Sequence, residues 1–119
     1  MAKILLIDDS WLTRRGLNTM ISARDHEVIE AENGSQGIQK IQDDQPDCVL
    51  LDLLMPEMDG YEVLESLREK NISVPVIICT ADIQETAREK CLELGAFGFI
   101  NKPPAESEVM AMVQKAIQP

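Results

Sequence analysis

Five short apolar runs, separated by stretches whose apolar residues recur three and four apart, leave this chain few folds to choose from. The strand candidates are Ile4 to Ile7, Glu27 to Ala31, Cys48 to Leu51, Val76 to Cys79 and Phe97 to Ile100. Between them, Leu17, Met20 and Ile21 mark the inner face of a first helix. Ile38 and Ile41 mark a second, opened by Asn33-Gly34-Ser35, and Gly60, Leu64 and Leu67 a third. Ala87, Cys91 and Leu94 line a fourth, stopped by Gly95, and Val109, Met112, Val113, Ala116 and Ile117 line the last. Spacings of three and four are the buried stripe of a helix, and no linker, repeat or low-complexity tract interrupts the alternation. The pattern predicts one α/β domain over 1–119 with a parallel sheet. The apolar content of 45% with only 3% aromatic residues suits such a sheet, whose interior is built from Ile, Leu, Val, Ala and Met.

Sequential βα units join through right-handed crossovers, so the C-terminal ends of all the strands emerge on one edge, where open α/β sheets bind their ligands. Any polar residue closing an apolar run is then carried to a shared site. Asp8 and Asp9 close the first run, Asp52 the third and Thr80 the fourth, while Lys102 follows the fifth by two residues. Three carboxylates held together repel, since unit charges ~4 Å apart cost about 1 kcal/mol in water and several times that near a protein. A hard divalent cation resolves the conflict. Mg²⁺ in particular takes a couple of carboxylates, waters and phosphate oxygens, and Lys102 supplies further positive charge. The plainer alternatives are that Asp8 and Asp9 cap the first helix, that Asp52 starts a turn, that Lys102 is a surface lysine and that Thr80 is an ordinary strand residue. For Asp52 the turn fails, because Leu53, Leu54 and Met55 keep the segment apolar as far as Pro56.

In Ile7-Asp8-Asp9-Ser10, the run from Asp52 through Pro56 to Asp59-Gly60, Thr80-Ala81 and Lys102-Pro103, the sequence resembles the receiver domain of bacterial two-component response regulators along its full length. It looks most like the stand-alone chemotaxis-type members. The resemblance implies a flavodoxin-like (βα)5 doubly wound fold with strand order 2-1-3-4-5 and a magnesium-dependent switch, with Mn²⁺ a possible substitute. Asp52 would be the phosphoacceptor. Asp9, Asp52 and the Leu54 carbonyl would ligate the metal directly and Asp8 mainly through water. Thr80, Ala81 and Lys102 would meet the phosphoryl group, and Pro103 would follow a cis bond. Phe99 matches the family's switch aromatic, without the hydroxyl of the tyrosine in many chemotaxis members. Pro104 stands where the family often has an aromatic, which stiffens the loop into the fifth helix. Leu54 and Asp82 would tune the loss of the phosphoryl group, Leu54 slowing it by crowding the hydrolytic water.

The implied partners are a sensor histidine kinase or phosphotransfer protein, and an output protein on the face of the fourth helix, fifth strand and fifth helix. The expected state is a monomer, with an activated dimer as an alternative. Ending at Pro119, just after the fifth helix, the chain fits either a stand-alone domain or the receiver portion of a longer regulator with a DNA-binding or enzymatic output domain. It is expected to act on no substrate beyond itself. A phosphatase with an aspartyl-phosphate intermediate would want a second Asp two residues past Asp52, where Leu54 stands. A flavodoxin-like cofactor binder would need a phosphate cradle where Asp8-Asp9 would repel one.

With 21 acids against 11 bases, a net charge of −10 and no basic run, direct nucleic-acid binding is not expected. Cys48, Cys79 and Cys91 show no CxxC spacing and read as reduced thiols of a cytoplasmic protein. The Ile4–Ile7 run is too short for a signal peptide or a membrane span. Trp11, two residues past Asp9, is either a fluorescent reporter of the site or an exposed first-turn residue, and His26 reads as a surface residue.

Overall fold

Every apolar run becomes a strand and every three-and-four stretch a helix in the computed structural model, which describes residues 1–118. In chain order they are β1 (Lys3–Ile7), α1 (Trp11–Ser22), β2 (Glu27–Ala31), α2 (Gly34–Asp44), β3 (Cys48–Leu51), α3 (Gly60–Glu69), β4 (Val76–Thr80), α4 (Glu85–Glu93), β5 (Gly98–Asn101) and α5 (Glu106–Ile117). The strands form one sheet in the order β2-β1-β3-β4-β5, and every pair is parallel. This is the flavodoxin-like, doubly wound architecture.

Because strand side chains alternate in direction, each strand feeds two cores. Leu5, Ile7, Val49, Leu51, Val76 and Ile78 pack with Ile38 and Ile41 of α2, Val63, Leu64 and Leu67 of α3, and Ala87 and Cys91 of α4. On the opposite face Ile4, Leu6, Cys48, Leu50, Ile77, Cys79 and Ile100 pack with Leu17 and Ile21 of α1 and Val109, Met110 and Val113 of α5. At about 1.5–3 kcal/mol for each fully buried Leu or Ile, these two layers supply the main driving force for the fold.

Local chemistry sets the helix ends. Ser10 caps α1 by accepting from the Thr13 amide, and Asn33 caps α2 by accepting from that of Gln36. Asp59 and Glu62 form a reciprocal capping box on α3. Gly95, at φ +97°, takes the left-handed turn after α4 that a side chain would resist. Asp8 and Asp9 are therefore not the cap of α1.

Two expectations shift. The last strand begins at Gly98, one residue later than predicted: the Phe97 amide donates to the Val76 carbonyl, but its ring is exposed. The aromatic side chain suits a strand, so it draws the apparent run outward. His26 is not a free surface residue. It is half-buried, and its Nδ1 accepts the Ala2 amide at 3.1 Å, tying the N-terminal segment to the turn before β2. All three cysteines are free and buried, and burial pushes the thiols up, Cys48 to about 12 and Cys79 and Cys91 to about 11. No helix among the described residues is long and apolar enough to cross a membrane.

Candidate functional site

Backbone pairing continues past the strand ends and carries the polar residues with it. The Asp8 amide donates to the Ala31 carbonyl at 3.2 Å, that of Asp52 to Ile7 at 3.0 Å and that of Lys102 to Thr80 at 2.8 Å. These bonds extend the β1–β2, β1–β3 and β4–β5 pairings past the strand ends, and the parallel sheet sets those ends on one edge. There Asp8, Asp9 and Asp52 each present a carboxylate oxygen, all within 4.8 Å of one another. Lys102 Nζ reaches across to Asp8 Oδ2 at 2.8 Å and Asp52 Oδ2 at 3.3 Å.

One ammonium among three carboxylates leaves the cluster with excess negative charge. Asp52, 5% exposed, has its carboxyl raised by burial and then by the Asp8 charge, against the opposing pull of the Leu54 amide and Lys102. Burial alone would lower Lys102, but its hydrogen bond to Asp8 and the charges of Asp52 and Asp8 outweigh it, and the net shift is upward. A carboxyl that holds its proton more tightly folded than unfolded makes the fold lose stability as pH rises from the unfolded value through the folded one. Above that window, ionised Asp52 weakens the metal-free protein. Asp52→Asn should therefore raise the melting temperature at neutral pH in a chelator, and calorimetry giving an equal or lower value would contradict this account. The donor set is oxygen only and over-charged, which fits a hard divalent cation.

The other predicted residues gather around this cluster. Asp9 is exposed, and its carboxylate accepts no hydrogen bond among the described residues, whereas Asp8 accepts from the Ser10 amide at Oδ1 and from Lys102 at Oδ2. Leu54 lies at the rim, 56% exposed, its amide donating to Asp52 Oδ1 at 3.2 Å. Thr80 is wholly buried, and its hydroxyl accepts the Asp82 amide at 3.3 Å. The Asp82 carboxylate accepts from the Gln84 amide at 3.0 Å, just before α4. Phe99 pairs with Ile78, so its half-buried ring shares the sheet face of Thr80 two residues on. Ala81, Lys102, Pro103 and Pro104 line a groove of about 570 Å³ against Leu12 and Met20 of α1, and the Lys102–Pro103 bond is cis. Trp11 is exposed, with the Arg15 guanidinium over its ring at 5.4 Å.

The family model of the response regulator receiver domain matches residues 4–114. The chain belongs to that family. As a receiver domain of a two-component response regulator, it is 38% identical over 117 residues to the chemotaxis protein CheY of Listeria monocytogenes, covering 98% of each chain. It is 36% identical to the regulatory protein AtoC of Escherichia coli, with 98% of this chain matching 25% of that longer protein. The receiver domain of a Francisella response regulator superposes with a TM-score of 0.93 at 26% identity, covering 98% of this chain and 97% of the other. Receiver domains thus occur both alone and joined to other domains.

Sequence reasoning missed one residue of this receiver domain's site. Arg14 is buried on α1 and donates from Nη1 to the Asp8 carbonyl at 2.6 Å and from Nε to Glu30 Oε1 at 2.8 Å. The signal was present in its spacing, since Arg14 falls three before Leu17 and seven before Ile21 on the inward stripe.

Proposed function

We propose that the Asp52 carboxylate attacks the phosphorus of a phosphohistidine on a partner kinase or phosphotransfer protein, or of a small acyl phosphate, in a magnesium-dependent reaction. A P–O bond to Asp52 forms as the bond to the donor's leaving nitrogen or oxygen breaks, leaving an acyl phosphate. The convergence of Asp8, Asp9, Asp52 and Lys102 on one sheet edge carries this reading. Asp9 and Asp52 would hold the cation with the Leu54 carbonyl. Asp8, buried and paired with Lys102 at 2.8 Å, would act mainly through water. Bound there, Mg²⁺ would neutralise charge on the phosphoryl oxygens, while this chain's residues do the positioning. Lys102 stays close enough to Asp52 to meet the new anion, and the Thr80 hydroxyl can turn to donate to it.

Thr80 and Phe99 share a sheet face, so movement of one opens or fills space beside the other, a coupling typically worth about 1–3 kcal/mol. The readout would be the face of α4, β5 and α5. Helix α4 is lightly anchored, burying only Ala87 and Cys91 and lacking a side-chain cap. The apolar groove beside Lys102 offers the donor protein a seat next to the acids. The domain would act on no substrate beyond its own aspartate.

Incubation with acetyl phosphate and Mg²⁺ should add the mass of one phosphoryl group to the intact protein, and EDTA should prevent it. Absence of the adduct with metal present would refute the proposal. Leu54→Asn should then speed decay of the adduct several-fold by admitting water at the rim, and unchanged decay would remove Leu54 as the shield.

A further inference from the structure

Helix α1 buries Arg14, Leu17 and Ile21, and a cation on such a stripe is costly to bury unless it is paired and hydrogen-bonded. Arg14 is both. One arm of its fork reaches the Asp8 carbonyl and the other Glu30 Oε1, while Glu30 Oε2 accepts from Asn18 Nδ2 at 2.9 Å. The Glu30 carbonyl is held in turn by Lys40. A chain of bonds therefore runs from α2 through β2 to the peptide between Asp8 and Asp9.

That peptide is the important element. The Asp8 carbonyl and the Asp9 amide belong to one rigid plane, so fixing the oxygen fixes the orientation in which the chain enters Asp9. Asp8 has three further restraints, through its amide to Ala31 and its carboxylate to Ser10 and Lys102. The exposed Asp9 carboxylate has none among the described residues, so its aim depends on its backbone. We infer that Arg14 is a positioning residue of the acidic site, a guanidinium clamp that locks the Asp8–Asp9 peptide to β2 and thereby aims the Asp9 carboxylate at the cation.

The contribution is geometric rather than electrostatic. The guanidinium charge is already paired with Glu30, which diminishes its field at the acids, whereas its planar fork supplies two fixed donors that a lysine lacks. The inference rests on the metal reading of the site, and the test separates the two. Mg²⁺ demands near-ideal octahedral geometry while Ca²⁺ accepts irregular coordination, so a misaimed ligand penalises Mg²⁺ selectively.

Each metal alone is titrated by calorimetry into wild type, Arg14→Lys, Arg14→Gln and Glu30→Ala, alongside the melting temperature of each protein. Arg14→Lys and Arg14→Gln should weaken Mg²⁺ binding by about 10–100-fold, the scale for outer-shell partners, with a distinctly smaller loss for Ca²⁺. Glu30→Ala, which removes the anchor and keeps the arginine, should shift the two affinities in the same sense. Should Arg14→Gln fail to fold, the other two variants decide. Full restoration by lysine, equal losses for both metals, or Mg²⁺ affinity unchanged in the folded variants would overturn the clamp. Wild type that binds neither metal would overturn the metal reading itself.

Discussion

Asp52→Asn should yield a folded protein that takes up no phosphoryl group from acetyl phosphate and Mg²⁺, a loss of at least about 10³-fold, as expected when the nucleophile of a covalent mechanism is removed. An amide oxygen carries no negative charge to offer phosphorus. The change is otherwise mild. An asparagine oxygen can still accept the Leu54 amide, and Lys102 keeps its 2.8 Å contact to Asp8. The carboxylate whose proton affinity its surroundings raise is gone, so the metal-free variant should gain stability, and a melting temperature at or above that of wild type would exclude unfolding as the cause of the lost activity. Intact-mass measurement after incubation provides the check. An adduct forming at the wild-type rate would place the acceptor on another residue and remove the role assigned to Asp52.

Gly60→Ala should lower stability by about 1–3 kcal/mol, the usual cost of overpacking, and the melting temperature by roughly 5–15 °C. A Cβ at this position would lie 2.6 Å from the Asp52 carbonyl oxygen and 2.8 Å from Leu53 Cα. Both are backbone atoms, and the Gly60 amide donates to the Leu53 carbonyl at 3.0 Å, so neither segment can give way without moving the turn beyond β3. The strain acts directly on the peptide of the proposed acceptor, so phosphorylation should slow even where the variant is folded. Gly16 provides the contrast. It sits within α1, and a Cβ added there would meet nothing within 4 Å, so Gly16→Ala should stabilise by up to about 1 kcal/mol through helix propensity. Similar melting temperatures for the two alanine variants would show that the close approach at Gly60 is unimportant.

The acids were legible because burial and chemistry coincide at strand tips. Ile7 to Asp8, Leu51 to Asp52 and Cys79 to Thr80 are each an abrupt passage from a buried run to a polar group, and parallel connections bring such passages to one edge. The lateral order of the strands is a different matter. Periodicity defines each element but says nothing of its neighbours, so the placement of β1 between β2 and β3 came from family resemblance alone. Residues whose partners lie far along the chain were hidden for the same reason. The spacing of Arg14 puts it on the inward stripe of α1, but the partner that lets a cation be buried there comes into view only when β2 brings Glu30 beside it, and His26 reads as exposed until the Ala2 amide arrives at its Nδ1. Phe97 misled in the opposite direction, because its strand preference says nothing about which side of the last turn its ring occupies.

On the proposed mechanism, the bond between the Thr80 hydroxyl and the Asp82 amide would give the unphosphorylated molecule a catch. Its net strength, about 0.5–1.5 kcal/mol, is no more than a few times thermal energy. A contact from that hydroxyl to an ionised oxygen is roughly twice as strong. Such a catch would be firm enough to define where the loop idles and weak enough to yield when an anionic oxygen draws the hydroxyl inward.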